Sequence, residues 1–382
     1  MLSVHRRRLH RVLARFAIDK CGTSVRAGVI AVSVGAICLS GFFVDAAARD
    51  DFPYLSGVNI AGAEFNGRKV PGVPDHDYFY PARATIDYVA AKGMNSIRVP
   101  FLWERMQPEL NGPLAVEELG RLEGVVRYAN SKRLYVVLDL HNYAYYRQKV
   151  IGSSDVAVTA LADVWKRLAD RFSNNALVGF GLMNEPKGLL TETWLAAANA
   201  AIGAIRRAGA NNVIFVPGNG WTGAHSWLSS RYGAPNGDVM LGVIDPADNY
   251  VYEVHQYLDS NYSGTHAACR SETVGVDTLQ LFTQWARQHR KRAYLGEFGA
   301  GADPICLRAL DLMLRFIDEN SDVWTGWSYW AAGAWPASYF TSVQPVDGVD
   351  RPQMSVLLNH LKRSRRGDSG GDTSDRSQGD VR

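Results

Sequence analysis

The sequence predicts a single-domain α/β protein with the (β/α)8 TIM-barrel architecture. Short apolar runs alternate eight times with amphipathic stretches over about 310 residues, which is the pattern of such a barrel. The Gly-x-Gly-x-x-Gly fingerprint of a doubly wound dinucleotide-binding sheet does not follow the first run. Because neither an internal repeat nor a linker interrupts the alternation, we expect one barrel rather than two domains.

The predicted strands are short and rich in Val, Ile, Leu and aromatic residues, and they often end with Gly, Pro or polar residues. They are Leu55–Ala61, Ser96–Pro100, Tyr135–Leu140, Val178–Met183, Val213–Pro217, Tyr250–His255, Ala293–Glu297 and Thr325–Trp330. The stretches between them show helical periodicity. The predicted helices are Ala84–Lys92, Leu119–Ser131, Val156–Phe172, Thr193–Ala208, a poorer helix over 223–232, Leu279–Gln288, Ile305–Glu319 and Met354–Leu361.

The first 48 residues have the pattern of an export leader. Seven Lys or Arg residues and one acid precede an uncharged stretch from Ala27 to Val44, and a small-residue cleavage site follows at 46–48. A retained membrane anchor is the alternative, although eighteen uncharged residues lie at the short end of the spanning range. We therefore predict a secreted protein, with a periplasmic or membrane-anchored protein as the alternative.

The charge of the remaining chain argues against polyanionic partners. Without residues 1–48 the net charge falls from +3 to −2, so no basic field remains for nucleic acid or a membrane surface. The tail at 363–382 holds mainly Ser, Gly, Asp and Arg and is predicted to be disordered. The predicted organisation is thus a leader at 1–48, a catalytic barrel at 49–362 and a polar tail, in a monomer without stable membrane association after cleavage.

The cysteine and histidine patterns bear on disulfides and metals. Cys21 and Cys38 lie in the leader, so the mature chain keeps Cys269 and Cys306. An even pair in an exported protein indicates a disulfide, with two free buried thiols as the alternative. No Cys-x-x-Cys or His-Glu-x-x-His pattern occurs, so we expect neither a metal nor a cofactor.

Polar side chains gather where the predicted strands end, which is the face on which barrels carry active sites. They are Arg98, His141, Asn142, Asn184, Glu185, His255, Tyr257, Glu297 and Trp330. A single Glu at a strand end could be structural and paired with an Arg. Two Glu residues together with the other side chains just named favour a catalytic centre.

Paired carboxyl groups suit glycoside hydrolysis. One must hold a proton for the leaving oxygen, and the other must be ionised to attack carbon or to activate water. A separation of roughly 5–5.5 Å between them gives retention of anomeric configuration, and roughly 6.5–9.5 Å gives inversion.

From about Gly57 to Leu361 the chain resembles glycoside hydrolase family 5, and within it the endo-β-1,4-glucanases (cellulases). The sequence at 184–186, Asn-Glu-Pro, resembles the acid/base motif, and 296–299, Gly-Glu-Phe-Gly, resembles the nucleophile motif. The residues that carry the resemblance are Arg98, His141, Asn184, Glu185, His255, Tyr257, Glu297 and Trp330. The stretches 140–143, 255–259 and 263–266, with Cys269, resemble the cellulase branch.

The resemblance implies a retaining, secreted endo-β-1,4-glucanase acting on cellulose-type polysaccharides. Glu185 would be the acid/base, and Glu297 would be the nucleophile, held ionised by Arg98 and the Tyr257 hydroxyl. The other implied roles are a contact with the 2-hydroxyl of the attacked sugar for Asn184, a contact with the same sugar for His141, a place beside the acid/base for His255, and the floor of the site for Trp330. Similar enzymes also have a disulfide between cysteines that match Cys269 and Cys306.

Several points stay open at this level. Trp221, after strand five, is expected to stack a sugar on the leaving-group side, with core packing as its alternative. Asn142, Tyr143, Tyr145 and Trp335 are further cleft candidates. Activity on mannan, xyloglucan, mixed-linkage glucan or xylan is the first alternative, because such enzymes share the catalytic residues. A catalytically inactive sugar-binding barrel is the second, which the presence of both glutamates disfavours.

Overall fold

The structure is a computed structural model that describes residues 52–361, and these form a closed barrel of parallel strands. The barrel strands are β1 (Leu55–Ala61), β2 (Ser96–Phe101), β3 (Tyr135–Leu140), β4 (Val178–Gly181), β5 (Ile214–Pro217), β6 (Tyr250–His255), β7 (Ala293–Glu297) and β8 (Trp324–Gly333). Each strand pairs with the next in parallel, and β8 closes on β1. The predicted fold is therefore confirmed, while the predicted leader and tail lie outside the described residues.

Helices separate the strands along the chain. They are α1 (Arg83–Ala91), α2 (Trp103–Met106), α3 (Val116–Ser131), α4 (Val158–Phe172), α5 (Thr191–Arg207), α6 (Asn236–Val239), α7 (Val274–Gln288), α8 (Pro304–Glu319) and α9 (Pro352–Leu358). The predicted long helices are confirmed with shifted ends. The short helices α2 and α6 were not predicted, because four residues are too few to show helical periodicity.

The predicted helix over 223–232 is wrong. The structure has two separate 3-10 turns there, Ala224–Ser226 and Ser230–Tyr232. Ser229 between them has extended backbone angles, and its hydroxyl accepts a hydrogen bond from the Arg231 N–H, so it starts a new turn instead of continuing a helix.

The barrel is filled with apolar side chains at the end where the strands begin. Leu55, Tyr135, Phe215, Val251 and Tyr294 form one buried cluster there. Polar residues such as Asn59 and Arg98 lie further along the strands and are equally buried. The apolar plug therefore leaves the opposite end of the barrel as the place where polar chemistry can occur.

The packing of α4 shows how the outer layer is held. Its buried face includes Leu161, Trp165 and Leu168, and the Trp165 indole N–H donates to the Leu182 carbonyl at 2.9 Å. Burying each such side chain contributes about 1.5–3 kcal/mol. The helix thereby fixes the chain immediately after β4, which leads into the candidate site.

Cys269 and Cys306 form a disulfide, with Cα atoms 5.2 Å apart, so the predicted pairing is confirmed. The bond joins the loop after β6 to the first turn of α8. Within residues 52–361 no helix has the length and apolar character needed to cross a membrane.

Candidate active site

Arg98 is the centre of a buried polar layer at the carboxyl ends of the strands. Its Nη1 donates to Asn59 Oδ1 at 2.8 Å and to Glu297 Oε1 at 3.0 Å. The same guanidinium forms ion pairs with Asp139 at 3.0 Å and Glu253 at 2.9 Å. Three carboxylates thus surround the fully buried guanidinium of Arg98. Together with Asn59 they fix its position relative to four other strands.

Glu297, the last residue of β7, is held by both of its carboxylate oxygens. Oε1 accepts from Arg98, and Oε2 accepts from the Tyr257 hydroxyl at 2.9 Å. The pKa of Glu297 is raised above its ordinary value, chiefly by burial and also by the charge of Glu185, whereas the charges of His255 and Arg98 oppose that rise by favouring the carboxylate. Two donors on one carboxylate leave it oriented and suited to act in the ionised form.

Glu185 follows β4 in a backbone conformation that an L residue seldom adopts, with φ of +46°. Such a conformation costs on the order of 1–3 kcal/mol and persists where the surroundings enforce it. The side chain is only partly buried, and its Oε1 lies 2.9 Å from His255 Nδ1. Glu185 is therefore turned into the open mouth, whereas Glu297 lies on its wall.

His255 links the two glutamates to the polar layer. Its Nδ1 is 2.9 Å from Glu185 and 3.5 Å from Glu297, and its Nε2 is 3.3 Å from Glu253. Burial by itself would lower the pKa of His255, but the surrounding carboxylates, Glu297 foremost, raise it to about 10. The side chain is thus an imidazolium that donates from both nitrogens at neutral pH.

The two candidate catalytic carboxylates are close together. The ligand-type atoms of Glu185, His255 and Glu297 all lie within 4.8 Å of one another. A carboxylate oxygen of Glu185 is therefore no further than that from one of Glu297. This spacing fits a direct attack on the sugar better than a site with room for an intervening water.

The same three side chains are the group among residues 52–361 that could offer three ligand atoms to a metal ion. A metal would have to displace the proton from His255, because only neutral imidazole binds a metal. The high pKa of His255 opposes that exchange. The absence of a metal stays a prediction from the sequence.

His141 and Asn184 form the next part of the wall. His141 Nδ1 donates to Asp139 at 2.7 Å, and its Nε2 lies 3.1 Å from Asn184 Nδ2. The Asn184 side-chain oxygen accepts from Arg98 at 2.9 Å. The orientation of the Asn184 amide is thereby set, with its nitrogen beside the His141 ring.

Aromatic rings line the cleft of about 610 Å³ that begins at this wall. Trp330 stacks on the His141 ring with centroids 5.7 Å apart, and its indole N–H donates to the Tyr339 hydroxyl at 3.0 Å. Trp335 and Tyr143 also line the cleft. Flat rings of this kind can pack against the apolar faces of sugar rings.

Asn142 lines the same cleft, but its side-chain amide is hydrogen-bonded within the protein. Its Nδ2 donates to Glu104 at 2.6 Å, and its oxygen accepts from the Trp103 backbone N–H at 2.7 Å. Asn142 therefore fixes the loop after β3. Tyr145, in the short hairpin after that loop, lines the cleft beside it.

Trp221 lies outside the residues that line this cleft and is 41% exposed. It packs edge-on against Tyr232, with ring centroids 5.3 Å apart. The alternative of core packing for Trp221 is thus excluded, because a large part of its side chain is exposed.

Four residues of the candidate site escaped the sequence analysis: Asn59, Glu64, Asp139 and Glu253. Glu64 lies in the loop after β1 and lines the cleft, and burial raises its pKa to about 7. Asp139 and Glu253 stand at strand ends, two residues before His141 and His255. That spacing puts each acid on the same strand face as its histidine, which was the available signal.

Comparison with known proteins agrees with this geometry. A family model, Cellulase (glycosyl hydrolase family 5), matches residues 58–333. The chain is 39% identical over 303 residues to endo-beta-1,4-glucanase B of Aspergillus niger, covering 79% of this chain and 88% of that one. It is 46% identical to an endo-beta-1,4-glucanase structure from Xanthomonas axonopodis pv. citri, with a TM-score of 0.79 over 80% and 98% of the two chains. A structure of XacCel5A in complex with cellopentaose is 50% identical, with a TM-score of 0.80 over 81% and 100%.

Proposed function

The chain belongs to glycosyl hydrolase family 5, and from that premise we propose that it cleaves internal β-1,4-glucosidic bonds of cellulose-type glucans with retention. It is a glycoside hydrolase of the endo-β-1,4-glucanase type. The observation that carries the retaining mechanism is that one carboxylate oxygen of Glu185 lies within 4.8 Å of one carboxylate oxygen of Glu297.

In the first step the Glu297 carboxylate attacks the anomeric carbon while Glu185 transfers its proton to the departing glycosidic oxygen. The bond to the leaving sugar breaks, and a covalent ester to Glu297 forms. The hydrogen bonds from Arg98 and Tyr257 hold the attacking group in place. Because they also stabilise the carboxylate as a leaving group, they assist the second step.

In the second step Glu185 takes a proton from water, and the water oxygen attacks the same carbon. The ester bond breaks, Glu297 leaves as a carboxylate, and the sugar keeps its original configuration. The imidazolium of His255 lies beside both carboxylates and offsets their mutual repulsion whenever both are ionised.

The remaining residues bind the attacked sugar. Asn184 presents its amide nitrogen toward the 2-hydroxyl, His141 binds the same ring, and Trp330 supports its apolar face. This arrangement is supported by the Arg98–Asn184 and His141–Trp330 contacts. Trp221 stacks the first sugar on the leaving-group side, which its exposed ring supports.

The substrate is a neutral β-1,4-glucan, and another β-glycan such as mannan or xyloglucan is the alternative. We infer secretion from the leader pattern at 1–48, and a monomeric catalytic barrel that needs no membrane contact. These inferences rest on the sequence and on the related glucanases.

Product analysis tests the proposal. The protein should release reducing ends faster from carboxymethyl-cellulose than from galactomannan, and it should cleave defined cello-oligosaccharides at internal bonds. NMR of freshly formed product should show the β-anomer before mutarotation. An initial α-anomer would overturn the retaining mechanism, and a preference for galactomannan would overturn the assigned substrate.

A further inference from the structure

Lys187 lies two residues after Glu185, and its ammonium is held between two aromatic rings. Its Nζ is 5.0 Å from the ring centroid of Tyr143 and 5.2 Å from that of Trp221. Attraction between a cation and the faces of aromatic rings favours this position. The ammonium therefore bridges the loop after β3 and the loop after β5.

The backbone fixes this position as well. The Lys187 N–H donates to the Tyr143 carbonyl at 3.3 Å, and the Trp221 N–H donates to the Pro186 carbonyl at 3.1 Å. Both ring-bearing loops are thus tied to the segment that carries the acid/base. A rearrangement of this lysine stem alone would not move either ring.

The Lys187 ammonium has no hydrogen-bond acceptor and no carboxylate partner among residues 52–361. Other lysines of the barrel have such partners, such as Lys166 with Asp170 at 2.8 Å and Lys92 with Asp350. An ammonium carries three N–H donors, and aromatic faces accept them only weakly. Unused donors directed into a cleft are suited to the hydroxyl groups of a ligand.

Lys187 also lies where the cleft described above meets Trp221. It lines the cavity that contains Trp330 and His141, whereas Trp221, its other neighbour, is not among the lining residues of that cavity. Glu185 must reach the oxygen that joins the attacked sugar to the leaving one. Lys187 comes just beyond Glu185 in the chain and contacts Trp221, which is proposed above to stack the leaving sugar.

We propose that Lys187 binds the first leaving-group sugar by donating hydrogen bonds from its ammonium to hydroxyls of that sugar. The pyranose ring of the same sugar stacks on Trp221. The inference rests on the proposed function and deepens it. Because the ammonium contacts hydroxyl groups rather than the reacting atoms, it determines affinity and leaving-group specificity, not the chemical step. Hydrogen bonds from a charged donor are worth about 10- to 100-fold in binding.

The test compares two leaving groups. Cellopentaose places a hydroxyl-bearing sugar on the leaving-group side, whereas 4-nitrophenyl β-cellobioside places there a flat ring without hydroxyls. In K187M the methionine keeps the length of the stem and removes the donors. We expect kcat/KM for cellopentaose to fall about 10- to 100-fold, chiefly through KM, and that for the aryl substrate to change less than about twofold.

Two further variants control the result. K187R keeps a charged donor and should retain most of the activity on cellopentaose. K166M removes an exposed ammonium on α4 and should leave both substrates unaffected. Thermal melting of each variant checks that the barrel is intact.

The outcomes separate this inference from the proposed function. An unchanged KM for cellopentaose in K187M, or an equal loss on both substrates, would overturn the role of Lys187 while the endoglucanase activity stands. A wild-type protein that does not cleave cellopentaose would overturn the proposed function itself.

Discussion

Arg98 and Glu297 form an ion pair 3.0 Å apart, and both side chains are almost completely enclosed. Such a pair is stable because Asn59, Asn184, Asp139 and Glu253 complete the surroundings of the guanidinium. The pair therefore places the nucleophile without a flexible element. Rigid placement of the attacking group is the condition under which proximity lowers a barrier.

The first prediction concerns the nucleophile. E297Q keeps the shape of the side chain and removes its negative charge, so it cannot form the covalent ester. We expect kcat to fall by about 10³-fold or more, with a melting temperature close to that of the wild type. Mass spectrometry with a fluorinated glycoside trap should label the wild-type protein and not E297Q. Labelling of a different residue would refute the assignment.

The acid/base gives a second prediction. E185Q cannot protonate the leaving oxygen, so hydrolysis of cello-oligosaccharides should fall by about 10²- to 10⁴-fold. An activated aryl cellobioside needs little protonation and should be affected less in its first step. Added azide should restore turnover by attacking the glycosyl-enzyme, and its product should be the β-glycosyl azide. Rescue of E297Q instead of E185Q would reverse the two roles.

A third prediction uses the charge of His255. Its pKa of about 10 keeps it protonated below pH 9, and the charge lowers the pKa of Glu297. H255Q removes that charge, so the pKa of Glu297 rises and less carboxylate is present in acid. The acid limb of the kcat/KM profile should therefore move to higher pH, and activity should fall more at about pH 5 than at about pH 8. H76Q is the control, because the His76 ring is exposed. If kcat/KM of H255Q fell equally at every pH and its acid limb stayed in place, the electrostatic role of His255 would be contradicted.

The sequence was sufficient for the barrel and for the polar residues that gather at its mouth, since both depend on the apolar runs and on the residues that end them; the catalytic roles of those residues stay predictions. The sequence was insufficient to predict the buried residues that support these side chains from below. Asn59 and Glu253 act by holding Arg98 across the barrel, and such contacts join residues far apart in the chain. The helix predicted over 223–232 was wrong because the local hydrogen bond of Ser229 outweighs a weak apolar pattern. The place of Lys187 depends on two loops that meet only in the fold.

The disulfide gives a fourth prediction. Cys269 and Cys306 are 37 residues apart, and closing such a loop stabilises the fold by about 4 kcal/mol in the chain-entropy model. Replacing both residues by Ser should lower the free energy of unfolding by about 2–4 kcal/mol, measured by urea denaturation. Catalytic constants below the melting transition should change little. The wild type in reductant should approach the double variant, and an unchanged midpoint would contradict the prediction.

The fifth prediction concerns Gly296, the residue before the nucleophile. A Cβ atom there would lie 2.2 Å from Glu253 Oε1, far inside contact distance. Although Glu253 ends in a rotatable carboxylate, its pairing with Arg98 and His255 prevents it from moving aside. We therefore expect G296A to lose both stability, by about 1–3 kcal/mol, and most of its activity.

The matched control is G120A on α3, where an added Cβ meets no atom within 4 Å. Since alanine favours a helix more than glycine does, G120A should gain about 0.5–1 kcal/mol and keep full activity. The contrast isolates the effect of the contact with Glu253 from that of the glycine-to-alanine change. If G296A matched the wild type in denaturation and kinetics, the Glu253 side chain would be free to move. The inference that Glu253 rigidly supports Arg98 and His255 would then be wrong.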